Sequence, residues 1–352
     1  MTRARILAAL LASLLVGNAS AQSKAPQGPT YGKRPEVRAY IKEMVRRHGF
    51  VEKELVYLFS RTHRIDPILQ AIAQPAEKVK SWKEYRELLV SEKRMAGGRE
   101  FWAANRAALE RAEREFGVPA EYIVAIIGVE TLYGRNTGRY RVIDSLSTLA
   151  FDYPPRAEFF RDELTSYLLL ARDEGINVFA TKGSYAGAIG IPQFMPGSAR
   201  RYAVDFDGSG AIDLHKSAVD AVGSVANFLK RHGWRTGDAV LLGAKVTGNE
   251  YAAYATGSLE PKATLATLSS AGVQPQAPLP QAMAEQKAAL IELATPGEPS
   301  DFRLGLHNFW VLTRYNRSAL YAAAVSDLAA ALRAERAGQP ASPAPAAQEP
   351  GK

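Results

Sequence analysis

Residues 121–134 read EYIVAIIGVETLYG and predict the helix on which the rest of the fold depends. Apolar side chains occupy nearly every side of such a helix, so we expect it to be buried. Pro119 suits the first turn of this helix, which should run through Leu132, and Gly134 suits its end. Helical spacing of apolar residues recurs at 37–48, 82–96, 101–116 and 217–231. The sequence therefore predicts a mainly helical protein.

Glu130 lies in the last turn of this apolar helix, next to Val129. Burial disfavours a charged carboxylate, and the C-terminal end of a helix carries partial negative charge. Both effects raise the pKa of Glu130, which is what a proton donor at neutral pH requires. On the helix alone, a structural interpretation is equally open: a glutamate at a helix end that pairs with Arg135 or Arg139.

A second informative segment is residues 183–197, GSYAGAIGIPQFMPG. Its four glycines and two prolines predict a shaped loop that opens into a helix, because they leave little freedom for a regular one. Ser184, Tyr185, Gln193 and Phe194 supply donors, acceptors and stacking faces, a mixture typical of sugar-binding sites. The alternative is a tight structural turn.

A third segment, residues 308–321, reads NFWVLTRYNRSALY. Tyr315 and Asn316 follow an apolar run, and Tyr321 comes five residues after Asn316. The aromatic residues could belong to the core. A buried amide needs hydrogen-bond partners, so Asn316 is harder to assign there.

These three segments together resemble the lytic murein transglycosylase B family of bacterial cell-wall enzymes. The matching motifs are AIIGVETLYG, RVIDSLSTLAFDYPPR, SYAGAIGIPQFMPGS, AVDAVGSVANFLKRHGW and NFWVLTRYNRS. The likeness runs from about residue 82 to residue 332 and is weakest over 240–300. The expected fold is mainly α (α+β), with a lysozyme-like helical catalytic core, an additional N-terminal helical region and a small inserted subdomain that contains β-strands.

The resemblance implies cleavage of the β-1,4 bond between N-acetylmuramic acid and N-acetylglucosamine in peptidoglycan. The cleavage uses no water, because the 6-hydroxyl of the muramic acid closes onto C1 and leaves a 1,6-anhydromuramoyl end. One glutamate makes both proton transfers, and by position it is Glu130. No cofactor is required for this chemistry.

The resemblance also implies the substrate-binding residues. They are Tyr85, Ser184, Gln193, Phe194, Tyr315, Asn316 and Tyr321. The chain departs from the family pattern at Phe228, where an aromatic hydroxyl is familiar, so one substrate contact is in doubt.

Two other functions stay open. Most glycosidases use two carboxylates, and Asp144, Asp152 and Asp162 lie near enough in sequence to allow a lysozyme-like hydrolase. We favour structural roles for all three, with Asp144 capping the helix that follows it. A wall-binding protein without turnover is disfavoured, because an idle buried acid such as Glu130 is costly.

Residues 205–213, DFDGSGAID, have the spacing of an EF-hand loop. The expected ligands are Asp205, Asp207, Ser209, the carbonyl of Ala211 and, because Lys216 occupies the twelfth position, the later Asp220. We predict a structural calcium ion. The alternative is a turn without metal.

Composition narrows the function further. The 352 residues carry a net charge of +8 and no cysteine. Basic residues are dispersed, which argues against a nucleic-acid partner and is compatible with peptidoglycan strands. The lack of cysteine excludes a disulfide scaffold, a thiolate zinc site, a cysteine nucleophile and a lipid-modified cysteine.

The N-terminus predicts export. Two arginines precede the apolar run ILAALLASLLVG at 6–17, and Ala19–Ala21 supplies a signal-peptidase site. We expect a soluble periplasmic protein without a stable membrane anchor. The predicted organisation is a signal peptide at 1–21, a linker at 22–35, the N-terminal helical region at 36–100, the catalytic core at 101–238 with its EF-hand-like loop at 205–220, an α+β subdomain at 239–300, a return to the core at 301–335 and a disordered tail at 336–352.

Overall fold

The structure is a computed structural model, and it describes residues 28–73 and 80–338. The signal peptide predicted at 1–21 and most of the predicted tail lie outside these residues. Within them, no helix is both long enough and apolar enough to cross a lipid bilayer.

The described residues form a mainly helical protein with a small antiparallel sheet, as predicted. The helices are α1 (Pro35–His48), α2 (Glu52–Ser60), α3 (Asp66–Ala73), α4 (Trp82–Leu89), α5 (Glu92–Ala104), α6 (Arg106–Phe116), α7 (Ala120–Thr131), α8 (Val142–Asp152), α9 (Ala157–Asp173), α10 (Pro196–Tyr202), α11 (Ala218–Arg231), α12 (Leu265–Ser270), α13 (His307–Tyr315) and α14 (Ala319–Ala337). The strands are β1 (Tyr140–Arg141), β2 (Lys182–Gly183), β3 (Leu241–Val246), β4 (Ala263–Thr264), β5 (Val273–Pro275), β6 (Lys287–Leu293) and β7 (Asp301–Gly305).

The central helix is α7, and it is buried as its sequence predicts. Every residue from Ile123 to Thr131 is buried, and the helix packs against α5, α6, α11 and α14. Pro119 is its N-cap rather than part of its first turn. The helix therefore places its last turn, with Glu130, inside the core instead of at the surface.

Two of the predicted helices are each interrupted. The predicted helix 82–96 breaks after α4, because Ser91 starts α5 in an extended conformation. The predicted helix 101–116 breaks at Asn105, whose side-chain amide donates to the carbonyl of Phe101 at 2.9 Å. The backbone N–H of Asn105 donates to the same carbonyl at 3.0 Å, and the chain starts a new helix at the next residue.

The predicted linker 22–35 is wrong at its C-terminal end. Tyr31 is fully buried, and its hydroxyl donates to Asp152 at 2.5 Å. Arg34 forms an ion pair with the same carboxylate at 2.8 Å. The last residues of this segment are therefore docked on α8. At the other end of the chain, α14 continues to Ala337, two residues into the predicted tail.

A five-stranded antiparallel sheet with the order β4-β6-β7-β3-β5 forms the predicted small subdomain. It extends past the predicted boundary at 300, because β7 pairs with β6 from Ala289↔Gly305 to Leu293↔Asp301. Strand β4 ends at Thr264, whose hydroxyl accepts the N–H of Thr267 and caps helix α12. Strand β7 is followed directly by α13, so the position of the sheet sets the start of the helix that ends at Tyr315.

Candidate active site

The chain turns sharply directly after Glu130. Leu132, Tyr133 and Gly134 follow the helix with φ of 50°, 62° and 82°. A left-handed conformation costs a residue with a side chain about 1–2 kcal/mol. Two such residues in a row indicate that the surrounding structure imposes the turn, and strain of this kind concentrates at functional sites. The turn ends α7 while Glu130 is still buried, at 5% exposure.

Tyr133 packs this turn against α5. Its hydroxyl donates to the carbonyl of Arg94 at 2.8 Å. The tyrosine lies so close to Gly128 that a Cβ atom there would overlap the phenol ring. Arg94 in turn donates from Nε to the carbonyl of Gly128 at 3.2 Å. Contacts with Arg94 on α5 therefore fix the C-terminal end of α7.

Thr131 joins the end of α7 to the 183–197 loop. Its hydroxyl donates to the carbonyl of Ile191 at 2.8 Å and accepts the N–H of Gly134 at 2.9 Å. The helix that carries Glu130 and the predicted sugar-binding loop are thus bonded side by side.

The Glu130 carboxylate has a defined partner. The Tyr321 hydroxyl donates to Oε1 of Glu130 at 2.8 Å, across 191 positions of sequence. Burial, and then the charge of Glu130, raise the pKa of Tyr321 well above its ordinary value. The hydroxyl therefore stays protonated and remains a donor to the carboxylate.

Tyr315 completes an aromatic wall beside Tyr321. The two rings are nearly parallel, with centroids 6.5 Å apart. The Tyr315 hydroxyl donates to the carbonyl of Pro192 at 2.6 Å. Burial and the nearby Glu130 charge raise the pKa of Tyr315 well above its ordinary value. Tyr315 is thus hydrogen-bonded to the 183–197 loop, and Tyr321 is hydrogen-bonded to Glu130.

The 183–197 loop is a shaped loop that opens into α10, as predicted. It folds on itself through the bridges Gly183↔Ile189 and Ile189↔Phe194. Ser184 accepts the N–H of Ala188 on its hydroxyl at 3.0 Å. Gln193 has a φ of 51° and donates from Nε2 to two backbone carbonyls, those of Thr137 at 3.1 Å and Gly190 at 2.9 Å.

Phe194 and Phe228 pack together under Tyr315. Their ring centroids are 5.5 Å apart, and Phe228 lies 4.8 Å from Tyr315. Both phenylalanines are buried. Phe228, the position where the family pattern has a hydroxyl, therefore belongs to the wall that supports Tyr315.

Tyr85 and Asn316 lie at the edges of this group. Tyr85, on α4, is fully buried and is one of the neighbours that raise the pKa of Tyr321. Asn316 directly follows Tyr315 at the end of α13 and is 4% exposed. The structure thus brings Tyr85, Phe194, Tyr315 and Tyr321 together around Glu130. Asn316 follows Tyr315 in the chain, and Ser184 and Gln193 lie on the loop that Thr131 binds. The positioning roles of Thr131 and Tyr133 carry no distinctive sequence pattern and were not predicted.

The arginines and the aspartate for which structural roles were considered have defined contacts. Arg135 pairs with Glu100 at 2.6 Å, and Arg139 lies over the ring of Tyr140. Asp144 does not cap a helix: it lies in the first turn of α8, where it pairs with Arg141 at 2.6 Å.

The EF-hand-like loop brings its acidic residues together. Carboxylate oxygens of Asp205, Asp207 and Asp220 all lie within 4.8 Å of one another. Asp220 is fully buried, and its two oxygens accept the N–H groups of Phe206 at 2.8 Å and Asp213 at 2.9 Å. The loop therefore wraps around the Asp220 carboxylate, which orients it toward the other two.

The remaining predicted ligands complete an oxygen-only set. Ser209 donates its hydroxyl to the carbonyl of Ala211 at 3.1 Å, so both oxygens lie in the same loop. Three carboxylates, a hydroxyl and a carbonyl are the ligand types that calcium prefers. The donor set fits a calcium ion.

The structure combines a lysozyme-like helical core, a buried glutamate at the end of its central helix, and a loop and an aromatic wall beside that acid. This combination defines the class of enzymes that cleave glycosidic bonds in glycan strands. The family model for the transglycosylase SLT domain matches residues 32–330. The chain belongs to this family, and it is a peptidoglycan lytic transglycosylase.

Individual relatives agree with this assignment. The chain is 41% identical over 318 residues to the membrane-bound lytic murein transglycosylase B of Escherichia coli K12, covering 88% of this chain and 86% of the relative. It is 46% identical to soluble lytic transglycosylase SltB1 of Pseudomonas aeruginosa, with a TM-score of 0.80 over 86% of this chain and 100% of that one. Escherichia coli Slt35, solved in complex with calcium, is 40% identical, with a TM-score of 0.78 over 90% of this chain and 98% of that one.

Proposed function

We propose that Glu130 is the single acid and base of the transglycosylase reaction. The observation that carries the proposal is the 2.8 Å hydrogen bond from Tyr321 to the Glu130 carboxylate in a buried site. This bond holds the carboxylate in one orientation. Burial, at 5% exposure, keeps most bulk water away from the carboxyl group.

The reaction needs two proton transfers at the same carboxyl group. Glu130 first gives its proton to the glycosidic oxygen as the bond to C1 breaks. It then takes the proton of the 6-hydroxyl as that oxygen bonds to C1, which closes the 1,6-anhydro ring and restores the acid. An attacking hydroxyl on the same sugar replaces a second carboxylate and benefits from proximity.

A hydrolase with a second carboxylate has less support. Asp152 accepts from Tyr31 and Arg34, and Asp144 accepts from Arg141 and the N–H of His63. Both carboxylates are therefore engaged in holding elements together. Asp162 is exposed on α9.

We assign the sugar contacts to the residues around Glu130. Gln193 and Ser184 lie on the loop that Thr131 ties to α7, so they are held close to the acid. The aromatic residues Tyr315 and Tyr321, with the adjoining Asn316, would hold the reacting ring and its acetamido group. Tyr85 and Phe194 shape the groove around them.

We further propose that the EF-hand-like loop binds a structural calcium ion. Asp205, Asp207 and Asp220 would supply the carboxylates, with Ser209 and the Ala211 carbonyl as further ligands. Calcium would neutralise three converging negative charges next to the start of α11, the helix that carries Phe228. The calcium complex of Slt35 supports this assignment.

We propose that the substrate is encountered outside the cytoplasm, as peptidoglycan strands. The basis is the export pattern at 1–21, which lies outside the described residues. The E. coli relative is named as membrane-bound, so fractionation of cells expressing the full chain, before and after a high-salt wash, tests whether this protein is anchored.

Mass spectrometry of the products tests the catalytic proposal. Purified protein is incubated with peptidoglycan, alongside Glu130→Gln and the control Glu121→Gln at the other end of the same helix. We expect 1,6-anhydromuropeptides from the wild type and the control, and none from Glu130→Gln. Reducing-end products would make the reaction hydrolytic, and unchanged turnover by Glu130→Gln would overturn the assignment of the acid.

A further inference from the structure

A group of charged side chains joins the five-stranded sheet to the helical core. Arg303, on β7, donates from Nη2 to Asp301 of the same strand at 2.7 Å. It also donates to Asp327 of α14, from Nη1 at 2.5 Å and from Nη2 at 3.2 Å. The planar fork of arginine suits such two-bond pairing with a carboxylate. Arg303 therefore sets the orientation of the strand and the helix relative to each other.

Helix α4 is the third element that meets at Arg303. Trp82, the first residue of α4, has its ring centroid 5.2 Å from Cζ of Arg303. Its indole Nε1 donates to Asp301 at 3.2 Å, and Arg86 of the same helix donates from Nε to Asp327 at 2.6 Å. Two arginines, two aspartates and a tryptophan thus connect α4, β7 and α14.

This group is largely protected from water. The side chains of Arg303 and Asp327 are 15% and 14% exposed, and Trp82 is buried. The ion pair of Lys83 with Glu298 also joins α4 to the sheet region, at 2.7 Å, but its side chains are 56% and 50% exposed. Water and salt weaken exposed pairs, whereas removal of one partner from a protected pair leaves the other charge uncompensated. The group around Arg303 is therefore the stronger of the two links.

Two of the three elements carry tyrosines of the candidate active site. Tyr321 lies in the first turn of α14, six residues before Asp327, and its hydroxyl donates to Glu130 at 2.8 Å. Tyr85 lies on α4, directly before Arg86. The helices α4 and α14 also pack against each other. A helix moves as a rigid unit over so short a distance, so a shift of Asp327 also shifts Tyr321.

Apolar packing alone specifies the position of α14 less sharply. The buried residues of this helix include Ala322, Ala323, Ala324 and Ala329. Such short side chains leave little to interlock with a neighbouring helix, and the burial of apolar surface is non-directional. Charged hydrogen bonds have a preferred distance and angle. The bonds at Asp327 can therefore fix the rotation of α14, on which the direction of the Tyr321 hydroxyl depends.

We propose that Arg303 is a positioning residue for the proton transfers, because it holds α4 and α14 where the Tyr321 hydroxyl stays on the Glu130 carboxylate. The proposal rests on the proposed function, since it assigns the support of the same acid. It also gives the five-stranded sheet a role in the reaction, as the frame from which Arg303 reaches both helices. Arg303 acts through these helices and is not itself a catalytic residue.

Kinetics of Arg303→Met test this role against the matched control Lys83→Met, which removes the exposed pair. We expect Arg303→Met to lower kcat by about 10-fold to 100-fold, because a misplacement of about 1 Å can cost about 10²-fold. KM should change by less than about twofold, since no substrate contact is removed. Lys83→Met should behave as the wild type does. An unchanged kcat in Arg303→Met, a loss confined to KM, or an equal loss in Lys83→Met would overturn the proposal.

A double-mutant cycle with Tyr321→Phe separates positioning from a general loss of stability. A donor favours the ionised carboxylate, so a loosened Tyr321 should move the alkaline limb of the rate profile to higher pH. Arg303→Met should therefore move this limb in the wild-type background and not in Tyr321→Phe, where the hydroxyl is already gone. Additive displacements would overturn the proposal. If circular dichroism shows that Arg303→Met is unfolded at the assay temperature, Asp327→Asn replaces it in both experiments, because it weakens the same link to α14.

A measurement that does not depend on turnover separates this proposal from the catalytic one. In protein isotope-labelled at tyrosine, the NMR signal of Tyr321 is the one that Tyr321→Phe lacks, and its shift reports the hydrogen bond to Glu130. We expect this shift to change in Arg303→Met and to stay in Lys83→Met. An unchanged shift in Arg303→Met would overturn the role of Arg303, whatever reaction Glu130 performs. Undiminished turnover by Glu130→Gln, with the shift changed as expected, would instead overturn the proposed function and leave the positioning of Tyr321 by Arg303 in place.

Discussion

The molecule holds its carboxylates in two contrasting ways. Glu130 is a single acid, buried in the core and bonded to Tyr321. In the EF-hand-like loop, Asp205 and Asp207 are exposed and converge on the buried Asp220. The single buried acid has a neutral hydroxyl as its donor. Convergence of three acids favours a bound cation, which would offset their mutual repulsion.

The hydrogen bonds to the carboxylates also differ between the two sites. Glu130 receives a side-chain donor from a distant helix. The acids of the loop receive backbone N–H groups from their own loop, such as those of Gly208 and Gly210 on Asp205 at 2.8 Å each. The Ser217 and Ser209 hydrogen bonds lower the pKa of Asp207. This difference accords with the proton transfer proposed at Glu130 and with the calcium ion proposed at the loop.

The largest expected difference between the two sites is in turnover. Glu130→Gln should lower kcat by about 10²–10⁴-fold, because general acid–base catalysis contributes that much. Asp207→Asn, at saturating calcium, should keep kcat near the wild-type value. Release of anhydro ends, quantified by mass spectrometry over time, measures both. A comparable loss in the two variants would show that the loop participates in the reaction.

Calcium binding should have the next largest effect. It should change the stability of the folded protein and not the turnover. A ligand at 100 times its Kd stabilises the folded state by about 2.7 kcal/mol. We therefore expect calcium to raise the Tm of chelator-treated protein by several degrees, measured by calorimetry. An unchanged Tm would contradict a structural calcium site.

Two loop variants sharpen the calcium prediction. Asp207→Asn should abolish the calcium-dependent rise in Tm with little effect in chelator. Asp220→Asn should lower the Tm in chelator as well, because one oxygen that accepts buried N–H groups is replaced by an NH₂ donor. Equal behaviour of the two variants would mean that burial of Asp220 has no structural role.

Much of the fold could be predicted from sequence, because its determinants are local. Gly49 ends α1 with a φ of 68°, and Ser217 caps α11 with its hydroxyl, both at positions that composition and periodicity indicate. The errors came from tertiary contacts. Tyr31 lies in a Pro- and Gly-rich segment, and its bond to Asp152, together with the Arg34 ion pair, shows that the segment is docked.

The site was predictable in a different sense. The apolar surroundings of Glu130 are visible in its own helix, but its bond to Tyr321 joins residues 191 positions apart. Periodicity carries no information on such a pair. The resemblance to a family indicated Tyr321 as a substrate-binding residue but did not predict its bond to Glu130. The turn at Leu132 and Tyr133 could not be predicted, because residues with side chains adopt a left-handed φ only where distant contacts impose it.

Removal of the Tyr321 hydroxyl should change the pH dependence of the reaction. Tyr321→Phe takes a donor from the ionised carboxylate, and such bonds contribute about 1.5–3 kcal/mol, so kcat/KM should fall about tenfold or more. A donor favours the ionised form, so its loss should move the alkaline limb of the rate profile to higher pH. Because burial raises the pKa of Tyr321 well above its usual range, that limb does not report the phenol itself.

Tyr315→Phe is the matched control for this change. The Tyr315 hydroxyl donates to the carbonyl of Pro192 and not to Glu130, so its removal should leave the alkaline limb in place. Profiles of kcat/KM from pH 4 to about 9 measure both variants. Equal displacement of the limb in the two would assign the effect to packing of the aromatic wall.

The smallest expected effect concerns how far the acidic loop is ordered before calcium binds. Ser217 accepts the N–H of Asp220 at 3.0 Å and donates to Asp207 at 2.8 Å, so its hydroxyl both caps α11 and orients an acid. Ser217→Ala should cost about 1 kcal/mol of stability, the usual value of an N-cap, and should also weaken calcium binding. Thr264→Ala removes a cap from α12, outside this loop, and should cost a similar amount with unchanged calcium affinity. Calcium titrations of the two variants distinguish two cases. If the loop is ordered by its own hydrogen bonds, only Ser217→Ala loses calcium affinity. If calcium itself orders the loop, neither variant loses affinity.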